Sequence, residues 1–176
     1  MTERNAVVPV AATTGLFAAW VIHDAEEWFT NGPWARERGL PISDELAHTA
    51  IGVMGVAVAA AAVDGLRTGG RSGWYQTTLL AYGLHGFSHL ALAARFGGYA
   101  PGVATTPVTV LPFWWWASSR LARAGVRRPA AGLLPGAAAM FVGSIAGSYG
   151  IAALVRRGPL GRRGRGGRRA PRDRAL

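Results

Sequence analysis

The chain has 176 residues, half of them hydrophobic, with 19 basic against 9 acidic side chains and a formal net charge of +10. It contains no cysteine, which excludes disulfides, thiolate metal sites and thiol nucleophiles. Every basic residue is an arginine and nine of them fall in the last 21 positions, so the charge reads as a topology or anionic-lipid signal rather than a nucleic-acid-binding body.

With the tail set aside, the body consists of long charge-free windows separated by short arginine-bearing loops. That pattern predicts an all-α integral membrane bundle of about five transmembrane helices. The first apolar run, 6–29, carries no charge from Ala6 to Ile22 and is expected to stop at Asn31-Gly32-Pro33. A signal peptide is set aside, because no small-residue cleavage site follows and the rest of the chain is equally apolar. A polar loop with Trp34, Arg36, Glu37, Arg38, Asp44 and Glu45 leads to a second span, 46–63, where Gly52 and Gly55 suit close packing in lipid. The third span, 74–94, ends at Arg95 and Gly97-Gly98. Residues 99–107 read as a tight turn into a fourth span that reaches about Ser119 and carries Trp114, Trp115 and Trp116 as interfacial aromatics. After Arg120, Arg123, Arg127 and Arg128 comes a fifth span, 130–155, interrupted by Pro135 and several glycines.

This division gives a transmembrane domain over 1–155 and a low-complexity Arg/Gly tail over 156–176. The tail is expected to be disordered and to meet anionic lipid headgroups, and membrane lipids are the partners the composition implies. The expected location is the cell membrane, with several crossings. Arginine counts on the two sides conflict, which leaves the orientation open.

Five ionisable residues sit where they are expensive. His23-Asp24-Ala25-Glu26-Glu27 closes the first apolar run, and helical periodicity turns His23, Glu26 and Glu27 the same way. His85 and His89 stand at i, i+4 inside the third run, where ionisable groups are rare and face a bundle interior. Spans one and three run in the same direction, so both groups are expected at one end of the bundle. Together His23, Glu26, Glu27, His85 and His89 make a nitrogen-and-oxygen ligand set suited to zinc, iron or manganese, with Glu26 and Glu27 sharing ligand and catalytic-base roles. A single shared ion requires His23 and His85 to lie within about 10 Å of each other. Asp24 is expected to point away as a helix or loop partner, and His48 reads as interfacial. A structural, hydrogen-bonded histidine pair is the plainer alternative.

The three motifs His23-Asp24-Ala25-Glu26-Glu27, His85-Gly86-Phe87-Ser88-His89 and Tyr99-Ala100-Pro101-Gly102-Val103, in this order, resemble the bacterial membrane-protein family named for its H-x-x-E-E motif. The resemblance covers roughly residues 6–155. It implies a small multi-pass bundle in which His23, Glu26, Glu27, His85, His89 and Pro101-Gly102 matter, and it brings no activity with it. The Arg-rich tail is not part of that pattern. The residues themselves favour a metal-dependent intramembrane hydrolase acting on a lipid or other embedded substrate. A proton- or cation-coupled transporter, or a scaffold with a structural His/Glu cluster, are the alternatives.

Overall fold

The computed structural model describes residues 7–157, and all the regular structure in them is helical. The helices are α1 (Val10–Glu37), α2 (Asp44–Arg67), α3 (Gly73–Phe96), a π-helical segment (Thr106–Val110) that runs into α4 (Leu111–Arg123), and α5 (Ala130–Arg157). All but the first two residues of the expected Arg/Gly tail lie outside the described residues. Local chemistry sets several boundaries. The hydroxyls of Ser43 and Ser72 cap α2 and α3 by accepting from the Leu46 and Tyr75 amides, each at 3.2 Å. Gly97 ends α3 in the left-handed region at φ +63°.

The predicted stop at Asn31-Gly32-Pro33 is overridden, and α1 continues to Glu37. Tertiary contacts hold this last stretch. Ala35 is buried, the Trp34 indole donates to the Tyr99 carbonyl at 3.0 Å, and Arg36 pairs with Asp44 at 2.6 Å. Gly32 lies so close to Asp44 that a Cβ there would overlap its carboxylate. Proline removes one backbone donor, and these contacts outweigh that loss.

Helix α1 packs along α2, α5 lies against both α2 and α3, and α4 lies against α1 and α3. Leu16, Trp20, Val58, Tyr75, Leu79, Tyr82 and Leu121 form the core between them. Aromatic rings enter over glycines: a Cβ on Gly55 would stand 2.6 Å from Trp20, and one on Gly83 would stand 2.7 Å from Trp114. Gly52, expected to share this role with Gly55, meets nothing within 4 Å. The Tyr75 hydroxyl donates to the Ala12 carbonyl. At the end of the bundle away from the motif, the buried Gln76 side chain donates to the Gly70 and Val126 carbonyls at 2.8 and 2.9 Å. It also accepts from the Arg128 amide at 2.8 Å. One side chain thereby ties the α2–α3 and α4–α5 connections together.

Two helices, α2 and α5, are long and apolar enough to cross a membrane by length and composition, against the five crossings expected. Helix α4 has 13 residues and the π-helical segment that leads into it has 5, a stretch at the short end of what crosses about 30 Å of hydrocarbon. Helices α1 and α3 are long enough, but they carry the polar residues that build the site.

Candidate metal centre

On a helix of 3.6 residues per turn, Glu27 lies about 40° to one side of His23 and Glu26 about 60° to the other. The two glutamates therefore diverge, and the fold uses them differently. Glu27 turns towards α3. Its Oε1 lies 3.2 Å from His89 Nε2 and 4.0 Å from His85 Nε2, while its Oε2 accepts from the Asn31 amide at 3.3 Å. His23 Nε2 lies 3.2 Å from His89 Nε2, which in turn lies 2.9 Å from His85 Nε2. The His23 and His85 rings are 5.2 Å apart between centroids, well inside the separation one shared ion requires.

His23, Glu27, His85 and His89 each offer one ligand atom, and all four lie within 4.8 Å of one another. Adjacent donors around a tetrahedral zinc ion with 2.0–2.1 Å bonds stand about 3.3 Å apart. The closest spacings here, 2.9 to 3.2 Å, match that value. Three imidazoles and one carboxylate therefore fit a divalent metal ion, and the whole set comes from α1 and α3.

Glu26 turns instead to the loop between α3 and the π-helical segment. Its Oε1 accepts from the Tyr99 hydroxyl at 2.6 Å and the Ala104 amide at 3.2 Å. Its Oε2 accepts from the Thr105 amide at 2.8 Å and the Thr105 hydroxyl at 2.6 Å. Partial burial and the bond to Glu26 push the Tyr99 phenol up to about 12, so it stays protonated and remains a donor.

This clamp fixes the protons of the cluster. The single Thr105 hydroxyl proton goes to Glu26, so Thr105 Oγ1 accepts from His23 Nδ1 at 2.8 Å. His23 then carries its proton on Nδ1 and turns the Nε2 lone pair towards the other histidines. The His89 ring donates from its other nitrogen to the Pro101 backbone carbonyl, which leaves its Nε2 lone pair likewise inward. Gly102, the last residue of the loop's Pro-Gly pair, has φ +79°. A Cβ there would stand 2.6 Å from His89 Cε1 and 2.8 Å from His23 Cε1. Only glycine satisfies both the backbone geometry and the approach of two rings.

The remaining candidates lie elsewhere. His48 donates to the Trp28 carbonyl at 2.8 Å and stacks on the Trp28 indole at 3.7 Å between centroids, away from the cluster. The Ser88 hydroxyl donates to the His85 backbone carbonyl at 2.7 Å rather than to a ring.

Asp24 departs from its expected role. It is buried, and it lines a cavity of about 190 Å³ bounded by α1, α2, α3 and α5. Glu27 and His85 belong to the wall of the same cavity, with Trp20, Met54, Tyr82 and Phe141. On the sequence alone Asp24 has only the role of a helix or loop partner, and nothing there singles out Tyr82. Asp24 lies three residues before Glu27, and that i, i+3 spacing was the available signal.

The features assembled here define a helical protein with a partly buried three-histidine, one-carboxylate centre beside an apolar cavity. A family profile described as "Protein of unknown function with HXXEE motif" matches residues 14–117, more than half of the chain, and the chain belongs to that family. The motif is His23-Asp24-Ala25-Glu26-Glu27. No curated protein and no solved structure matches the chain.

Proposed function

We propose that this chain is an integral membrane protein that holds a divalent metal ion through His23, Glu27, His85 and His89 and acts as an intramembrane hydrolase on a lipid or other embedded substrate. The convergence of four donor atoms within 4.8 Å carries the reading. The absence of sulfur donors suits zinc, iron or manganese. Such an ion, when bound, supplies Lewis-acid polarisation of a carbonyl oxygen. Of the two glutamates expected to share ligand and base roles, Glu27 is assigned to the ligand set. Glu26 is a positioning residue that orients His23 through Thr105.

The membrane part rests on an inverted distribution of polarity. Phe29, Val56 and Val142 are 75 %, 72 % and 64 % exposed, while His23, Asp24, Gln76 and His89 are buried. Water penalises a surface of that kind and lipid does not. An apolar cavity with the cluster in its wall suits a substrate with a hydrocarbon portion.

A second reading draws on a separate observation. Glu26, Thr105, His23, His89 and His85 form a line of polar atoms 2.6 to 3.2 Å apart, which suits a proton relay in a coupled carrier when an imidazole takes up a second proton. Elemental analysis of detergent-purified protein, beside a His85→Ala/His89→Ala variant, separates the two. About one metal ion per chain in the wild type, lost in a variant that keeps its helical circular dichroism, is the expected result. A wild type free of metal after purification in metal-replete buffer refutes the metal reading and leaves the relay.

A further inference from the structure

Two of the side chains that line the cavity, Asp24 and Tyr82, each carry a buried polar atom without a hydrogen-bond partner. The atoms are Asp24 Oδ2 and the Tyr82 hydroxyl, and each residue is only 6 % exposed. They share one wall, yet neither satisfies the other. An unpaired carboxylate oxygen in an apolar enclosure is a large desolvation cost, and it is relieved by a donor that enters from outside the chain.

The rest of the lining says what kind of donor. The charged residues in it are two carboxylates, Asp24 and Glu27, and no arginine lines the cavity. Carboxylate, phosphate and sulfate heads therefore find no arginine to pair with there. Trp20, Trp74, Tyr82, Phe141 and Tyr149 surround the space with aromatic surface, which attracts cations at the ring faces. The volume, about 190 Å³, somewhat exceeds the roughly 150 Å³ of an apolar cavity that takes up benzene. A short chain or a single ring with one head group is an occupant of that size.

We propose that this cavity binds a small apolar amine, with its ammonium group on Asp24 and Tyr82 and its hydrocarbon body against Trp20, Met54 and Phe141. The inference deepens the proposed function by naming the class of molecule presented beside the metal cluster. It stands on Asp24 and needs no ion.

The test uses three probes of equal length, n-hexylamine, n-hexanol and hexanoate. Each is titrated by calorimetry into the full-length protein in neutral detergent, and empty micelles are titrated to subtract partitioning. Titrations run on protein as purified and again after chelation, so that coordination of the amine to a metal is recognised and removed. The chelated protein is expected to bind hexylamine at least about tenfold more tightly than hexanol, with hexanoate weakest. Asp24→Asn should bring amine and alcohol within about twofold of each other, and Tyr82→Phe should weaken the amine only a few-fold. Equal binding of hexylamine and hexanol by the chelated wild type overturns the proposal, as does an amine preference that survives Asp24→Asn. If the asparagine variant does not fold, the ranking of the three probes on the wild type still decides. Amine selectivity in a protein that purifies without metal from metal-replete buffer refutes only the metal reading. Metal binding without amine selectivity refutes only this inference.

Discussion

Replacing Thr105 with valine keeps the shape of the side chain and removes one oxygen. That oxygen donates to Glu26 at 2.6 Å and accepts from His23 Nδ1 at 2.8 Å. Glu26 loses one of four donors and keeps the Tyr99 hydroxyl and the Ala104 and Thr105 amides. His23 fares worse, because its side chain is fully buried. It either keeps the Nδ1 proton unsatisfied, at about 1–3 kcal/mol, or moves the proton to Nε2 and withdraws the lone pair from the cluster. Both routes fall on metal affinity. The loss expected for breaking an outer-shell bond of this kind is about 10- to 100-fold, or roughly 1.4–2.7 kcal/mol. Competition with a chromogenic chelator for zinc in detergent solution measures it, and circular dichroism checks the fold. Thr105→Ser, which restores a hydroxyl, should recover most of the affinity. Zinc affinity of Thr105→Val within about twofold of wild type refutes the argument that Glu26 acts through Thr105 on His23.

Two further substitutions test the frame around the cluster. Gly102→Ala adds a Cβ that meets the His89 and His23 rings at 2.6–2.8 Å on a backbone with φ +79°. The left-handed backbone alone costs about 1–2 kcal/mol, so a lower thermal midpoint and a weakening of zinc affinity beyond tenfold are expected together. An unchanged affinity means that the loop yields without disturbing the histidines. At the other end of the bundle, Gln76→Leu deletes three hydrogen bonds in a buried site and should cost about 2–4 kcal/mol in denaturant unfolding while leaving metal stoichiometry intact. Loss of metal in that variant would show that the two ends are not independent.

The sequence made part of this site legible because periodicity is a local property. The i, i+4 spacings of His23 with Glu27 and of His85 with His89 put each pair on one helix face, and the shared direction of the two helices brought the faces together. Periodicity does not say which neighbour a face meets. Glu26 and Glu27 flank His23 on the helix, and the approach of the 97–105 loop to one and of α3 to the other gives them different roles. Asp24 was misread for the same reason: its direction is unfavourable relative to Glu26, but α2 and α5 stand on that side and enclose it. The end of α1 failed differently. Asn31-Gly32-Pro33 is a strong local stop, and the contacts that override it come from Asp44 and Tyr99. The turn over 99–107 was expected to be tight, and Pro101-Gly102 was singled out by resemblance. Its reason, two rings packed against a missing Cβ, appears only once α1 and α3 are in place.

Helix α5 contributes Met140, Phe141, Ile145, Ser148 and Tyr149 to the cavity and none of the four cluster residues. It also follows the region matched by the family profile, which ends at residue 117. The chain thus divides its labour along its length. The four cluster residues lie inside the matched region, and five of the residues that line the cavity lie on the helix that follows it. On the metal and amine readings proposed above, replacing α5 changes the lining of the cavity and leaves the cluster residues in place. A hybrid carrying another member's fifth helix should keep its metal stoichiometry and differ in the length of amine it accepts.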